Sequence, residues 1–209
     1  MTQKRRPSSA RWLAEHEADT YVQEARRLGF RARAAFKLKE IQEKDKILRP
    51  GQIVVDLGAA PGSWSQFARP LLGAKGQLLA LDILSFDPIP GVEIIVGDFR
   101  ENAVLLQLEA LIGDQLVDVV LSDMAPNISG IDAADQAGGV HLCELALEFA
   151  KAHLKPRGTL LVKIFQGEGF DGVLKQMRAS FESVTIRKPK ASRPRSREVY
   201  LLARNFRAV

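Results

Sequence analysis

The sequence predicts an α/β protein built on a mostly parallel, seven-stranded sheet with helices on both faces and an antiparallel last strand. Three observations predict it. From residue 51 onward, short β-branched runs alternate with helical periodicities, the pattern of parallel strands joined by right-handed crossovers. Ile53-Val54-Val55-Asp56-Leu57 reads as a strand buried on both faces, and it leads through Gly58-Ala59-Ala60-Pro61-Gly62 into the helical Ser63-Trp64-Ser65-Gln66-Phe67. Finally, Asp82, Asp98 and Asp123 each stand at or just after the carboxyl end of a predicted strand, the edge where open α/β sheets bind ligands.

The elements follow in order. Residues 1–18 form a basic arm in which Lys4-Arg5-Arg6-Pro7-Ser8-Ser9 shows no periodicity. Residues 19–50 form N-terminal helices. Asp19 is placed to cap a helix through Tyr21, Val22, Ala25 and Leu28 that stops at Gly29, and a second helix covers Ala34 to Lys44 with Phe36, Leu38 and Ile41 buried. Arg31, Arg33, Lys37 and Lys39 crowd the junction of these helices. Lys37, between two apolar residues, either runs along the edge of the core or is solvated. The core spans 51–209, with strands at 53–57, 77–81, 92–96, 117–122, 159–164, 184–186 and 199–203. Helices start at Ser63 and cover 101–112, 134–154 and 171–181, and Pro156-Arg157-Gly158 makes a turn. At 209 residues the whole chain, 1–209, is read as one domain.

Composition narrows the function classes. No apolar run is long enough to span a bilayer, and Met1 to Arg11 is basic without a signal-peptide core, so a cytoplasmic protein with no membrane partner is expected. Cys143 cannot form an internal disulfide and reads as helix packing. His16, His141 and His153 lack paired ligand spacing, and no metal is expected. The formal charge of +5 is unevenly spread: residues 1–51 carry 13 basic and 7 acidic side chains, residues 187–209 carry 8 and 1, and residues 52–186 carry 9 and 17. Two basic ends around an acidic middle predict a polyanion laid across surfaces that folding brings together, with a solvated charged surface as the alternative.

The glycine loop lacks the second glycine of the dinucleotide fingerprint, since Ala60 stands there, so a pyrophosphate is not expected against the backbone. Gly58 and Gly62 instead allow the close approach of another ligand. Asp82 is placed to accept both hydroxyls of an adenosine ribose, and Asp98 to reach the adenine amino group, helped by the backbone of Phe99. Like charges around one crevice are costly unless a ligand or nearby cations compensate. S-adenosylmethionine, with its sulfonium and ammonium, meets that need. A nicotinamide cofactor, or a purely structural strand-to-helix turn, remains open at this point. Lys163, inside Leu160-Leu161-Val162-Lys163-Ile164-Phe165, is costly in a central strand unless paired, and Asp123 and Glu198 are its expected partners. Lys37 can join them from the second helix.

Six segments together resemble the FtsJ-type ribosomal RNA uridine 2′-O-methyltransferases nearly end to end. They are Ser9-Ala10-Arg11-Trp12-Leu13, Phe36-Lys37-Leu38, Asp56-Leu57-Gly58-Ala59-Ala60-Pro61-Gly62, Ser122-Asp123-Met124-Ala125-Pro126-Asn127, Val162-Lys163-Ile164-Phe165-Gln166-Gly167 and Ser192-Arg193-Pro194-Arg195-Ser196-Arg197-Glu198. The resemblance implies a Rossmann-like class I fold using S-adenosylmethionine as methyl donor and no metal. It implies a catalytic tetrad of Lys37, Asp123, Lys163 and Glu198, and cofactor contacts at Gly62, Trp64, Asp82, Asp98 and Asp123. It further implies a monomer acting on 23S ribosomal RNA within the large subunit. The family's P-G-G-W is here Pro61-Gly62-Ser63-Trp64, a departure at Ser63. Transfer RNA or a messenger cap as acceptor, and a non-catalytic RNA-binding assembly factor, are the competing readings.

Overall fold

The computed structural model describes residues 19–127, 129–193 and 195–208. The basic arm at 1–18, with its Ser9-Ala10-Arg11-Trp12-Leu13 segment, and Pro194 lie outside them. Two helices come first, α1 (Thr20–Arg27) and α2 (Ala34–Asp45). Asp19 caps α1 as its position predicts, its carboxylate accepting the Tyr21 and Val22 amides at 3.0 and 3.4 Å. Then β1 (Ile53–Leu57), α3 (Ser63–Leu72), β2 (Gln77–Asp82), β3 (Glu93–Val96), α4 (Asn102–Ile112) and β4 (Val117–Ser122) alternate. The chain ends with α5 (Asp132–His153), β5 (Leu154–Phe165), α6 (Phe170–Ser180), β6 (Phe181–Arg187) and β7 (Glu198–Phe206).

The seven strands form one sheet in the order β3-β2-β1-β4-β5-β7-β6. All pairs from β3 through β5 are parallel, whereas β7 runs antiparallel to both β5 and β6, as the sequence predicts for the last strand. Alternate residues of each strand feed two cores. Val55 and Leu57 pack with α4, α5 and α6, while Val54 packs with Leu38 and Ile41 of α2 and Trp64, Ala68 and Leu72 of α3. This is why β1 reads as apolar on both faces. Cys143 is buried within α5, and burial pushes its thiol up to about 12, in keeping with a packing role.

Strand boundaries differ from those predicted, most of all at β5, while β6 starts at Phe181 where the preceding helix was expected to end. The sequence places a turn at Pro156-Arg157-Gly158 before the fifth strand, but β5 is continuous from Leu154. Val117 pairs with Leu154 and Val119 with Thr159, so the predicted turn is an outward bulge within one strand. The sheet reverses its winding between β1 and β4, and the site is built at the carboxyl ends of those strands.

Candidate functional site

A cleft of about 430 Å³ opens at this switch point, lined by the ends of β1 to β4 and by Gly138, His141 and Leu142 of α5. The loops after β1 and β4 touch across it. Gly58 has φ 76°, and a Cβ there would fall 2.7 Å from the Met124 amide nitrogen. Gly62, at φ 95°, would crowd Arg31 and Ile89 in the same way. Both positions thus call for glycine through their positive φ, and Gly58 also through the protein's own packing. Arg31 is part of that packing, its guanidinium donating to the carbonyls of Pro61, Asp87 and Pro88 at 3.0, 2.5 and 2.9 Å.

The three acids do reach the cleft. Asp82 already accepts the Ala60 and Leu84 amides at 2.8 and 2.9 Å, one on each oxygen, which fixes the carboxylate and leaves a lone pair on each oxygen for a diol. Asp98 is gripped by Arg100 through bonds of 2.6 to 3.1 Å, and these bonds pull its carboxyl down to about 2. The exposed apolar side chains of Ile83 and Leu84 flank these acids. Acids for cationic and hydroxyl groups beside an apolar shelf for a base fit S-adenosylmethionine. Trp64 and Gly62 do not line this cleft. The Trp64 indole is 2 % exposed, donates to the Ala34 carbonyl at 2.9 Å and packs 5.6 Å from the Tyr200 ring, so only its backbone is left for a ligand.

Below the cleft, Asp56 is fully buried. Its Oδ2 accepts from Ser65 Oγ at 2.6 Å, while its Oδ1 has no hydrogen-bond partner. Burial raises this carboxyl to about 7, against the opposing Ser65 bond and with further push from Asp123 and Asp82.

Asp123 belongs both to the cleft and to a second cluster behind it. Lys163 Nζ donates to the Asp123 carbonyl at 2.5 Å and lies 3.1 Å from its Oδ1. Lys37 Nζ sits 2.8 and 3.0 Å from the two oxygens of Glu198. All four side chains are 9 to 17 % exposed. The tetrad is thus assembled, with one change of pairing: Glu198 is held by Lys37, while Asp123 is the carboxylate bound to Lys163.

Tyr200 links the two pairs, and the sequence reading missed it. Its hydroxyl donates to Asp123 Oδ1 at 2.8 Å and lies 3.4 Å from Glu198 Oε1. Burial and the two carboxylates hold its phenol well above the usual range, so it stays neutral. The signal was present in period two: Glu198 and Tyr200 are i and i+2 on one strand, and Tyr200 is the register partner of Lys163. Ser192, also missed, donates to Glu198 Oε1 at 2.7 Å. Gln136 ties α5 to the carbonyls of Phe165 and Glu168 at 3.0 and 2.9 Å, beyond the tetrad strand.

The basic ends meet beside the tetrad. Glu40 of α2 accepts the Lys190 and Ala191 amides at 2.7 and 2.9 Å, and Arg33 bonds both Asp19 and the Ala191 carbonyl. This clasp holds the loop carrying Arg193, Arg195 and Arg197 next to Glu198. Arg195 and Arg197 are exposed, and Arg197 reaches Asp132 only at 4.0 Å.

The FtsJ-like methyltransferase family model matches residues 30–206. The ribosomal RNA large subunit methyltransferase E of Azoarcus sp. (strain BH72) is 60% identical over 204 residues, covering 98% of this chain and 100% of that protein. The protein of the same name from Xanthomonas oryzae pv. oryzae (strain PXO99A) is 58% identical over 203 residues, with 97% of each chain covered. Among solved structures, a ribosomal RNA methyltransferase from Plasmodium falciparum superposes with a TM-score of 0.75 at 30% identity, covering 85% of this chain and 98% of that one. A chain of a fibrillarin/Nop5p complex, at TM-score 0.54 and 18% identity over 76% of this chain and 75% of that one, shares the fold.

Proposed function

This chain belongs to the FtsJ-like methyltransferase family, and we propose that it methylates the ribose 2′-hydroxyl of a uridine in 23S ribosomal RNA of the large subunit. The observation that carries this reading is the shared residue Asp123, which joins an acidic cofactor cleft to the Lys37, Lys163 and Glu198 cluster. The names of its relatives favour an enzyme over a passive RNA binder. We read the chain as a single, monomeric, cytoplasmic methyltransferase domain. Among the described residues no helix is long and apolar enough to cross a membrane.

In this reading, Asp82 holds the ribose hydroxyls of S-adenosylmethionine, Asp98 and the Phe99 backbone face its adenine, and backbone at Gly62 and Trp64 contacts its amino-acid end. When bound, the cofactor supplies an electrophilic methyl group. Catalysis by the chain is then mainly positioning, with removal of one proton, and needs no metal. Lys163 suits that proton transfer. Lys163 Nζ donates to the Asp123 carbonyl and lies against its carboxylate as an ion pair; to act as the base the ammonium must first give up a proton, which leaves a lone pair for the 2′-hydroxyl. Once the proton has moved to Nζ, the adjacent carboxylate stabilises the ammonium. Lys37 with Glu198, braced by Ser192 and Tyr200, sets the wall against which the ribose is held. Arg193, Arg195 and Arg197 lie where phosphates flanking the acceptor would pass.

The test is transfer of a labelled methyl group to large subunits from cells lacking the gene, with the product nucleoside identified by mass spectrometry. A 2′-O-methyluridine is expected. A methyl group on a base, or no incorporation into 23S RNA, refutes the reading.

A further inference from the structure

At the opposite edge of the sheet from the cleft, a second cavity of about 390 Å³ lies between the end of α2, the bulge of β5 and the end of β7. It gathers Lys46, Arg49, Lys155, Arg157 and Arg204 against two acids, Asp45 and Asp118. Both acids are already engaged. Asp45 is shared by Arg187 at 2.7 Å and Arg204 at 3.1 Å, and Asp118 pairs with Lys155 while accepting the Ile53 amide at 2.8 Å. Among the described residues, Lys46, Arg49 and Arg157 have no carboxylate partner, and all three are exposed. The cavity therefore carries three uncompensated positive charges.

Backbone geometry singles out the same place independently. Among the described residues, only Lys46, Arg157 and Asn205 have positive φ without being glycine, at 52°, 68° and 57°, and all three line this cavity. The left-handed conformation is unfavourable for a residue with a Cβ, and at the other positive-φ positions among the described residues glycine stands. Lys46 occupies the left-handed cap of α2, where glycine is the usual choice. Two long cations thus stand where glycine would be less strained, both on the wall of one unneutralised hollow.

We propose that this cavity is a second phosphate-binding site, which grips the backbone of an RNA segment separate from the one that carries the acceptor. The proposal rests on the reading that the protein acts on ribosomal RNA. Guanidinium and ammonium groups without carboxylates suit phosphate oxygens. The site is out of reach of the phosphates next to the acceptor ribose: Thr159, on the cavity wall, and Lys163 are separated along β5 by about 13 Å, at roughly 3.3 Å per residue. It also completes a pattern in the sequence, since Lys46 and Arg49 come from the basic amino-terminal region and Arg204 from the basic carboxyl-terminal one.

The test uses the full chain carrying Lys46→Gly, Arg49→Ala and Arg157→Gly, in which two substitutions place glycine at left-handed positions and so preserve the fold. Binding and single-turnover methylation are compared with wild type on intact 23S RNA and on a short hairpin containing the acceptor. On intact RNA, the salt slope of binding should fall by about 2 to 3 units for three lost phosphate contacts, and half-saturation should rise at least roughly ten-fold at physiological salt. The saturated rate should not change, and on the hairpin the two proteins should behave alike. Equal affinity and slope on intact RNA overturn the site. Titration with pyrophosphate, followed by thermal unfolding, separates the sources of phosphate: if the variant loses pyrophosphate binding but keeps intact-RNA affinity, the site serves a free phosphate compound and the RNA assignment is overturned. If wild type methylates neither RNA, the catalytic reading fails, while the binding comparison still decides this one.

Discussion

Replacing Lys163 separates a proton acceptor from a mere positive charge. Its ammonium donates to the carbonyl of Asp123 and forms an ion pair with the carboxylate at 3.1 Å; it is 9 % exposed, with Asp123 at 17 %, so solvent screens the pair little. Lys163→Ala leaves that carboxylate with the Tyr200 hydroxyl but no cation. Breaking a buried pair from one side costs about 3 kcal/mol at the lower end of the usual range. For a chain of this length that corresponds to a fall in Tm of roughly 6 to 12 °C, read by thermal unfolding. Cofactor affinity, read by calorimetry, should stay close to wild type because Asp82 and Asp98 lie on other strands. Methyl transfer in single-turnover assays should fall at least roughly 10²-fold. Lys163→Arg restores the positive charge and much of the Tm but cannot accept the hydroxyl proton, because a guanidinium does not deprotonate in the accessible pH range. Its rate should therefore remain as low as that of the Ala variant. Near wild-type transfer by Lys163→Arg would show that the residue acts only as a cation.

Three further outcomes follow from the site. Asp82→Ala should weaken S-adenosylmethionine binding by roughly 1.5 to 3 kcal/mol, the range for hydrogen bonds to a charged group, and leave RNA affinity unchanged; calorimetry showing wild-type cofactor affinity in a folded variant removes Asp82 from the site. Replacing Arg193, Arg195 or Arg197 singly should weaken RNA binding irrespective of sequence and lower the salt slope by about one unit, and unchanged slopes for all three would leave the loop no phosphate role. Asp56 gives a pH signature. Its folded carboxyl lies near 7, above the ordinary 3.8, so the unfolded chain ionises first and stability contributed by this group is lost as pH rises from about 4 to 7. The loss is a few kcal/mol at about 1.4 kcal/mol per unit. Asp56→Asn should remove it, making the variant relatively more stable at pH 8 than at pH 4 in urea titrations; a stability difference that does not change with pH refutes this account.

What the sequence shows of this protein divides along a physical line. Strands buried on both faces announce themselves, because β1, β4 and β5 can contain little but apolar residues, and an acid or lysine at their ends is then conspicuous. Asp123 and Lys163 were legible for that reason, and Asp82 and Asp98 because each closes a short apolar run, β2 or β3. Pairings between distant elements were not. Period and propensity cannot say that Lys37 of α2 takes Glu198, leaving Asp123 to Lys163, since that depends on how a helix crosses the sheet. Tyr200 hid for the opposite reason: an aromatic residue in a strand is what core packing already predicts, and only its register opposite Lys163 reveals the hydroxyl bridging two carboxylates. The glycine loop was legible in conformation, but not the contact that Gly58 makes with the backbone of Met124. That contact has a functional consequence. It clamps the loop after β4 against the loop after β1, so that Asp123 lines the cleft while its carbonyl and its carboxylate both hold Lys163. In the proposed mechanism, methyl donor and proton acceptor therefore meet on either side of Asp123.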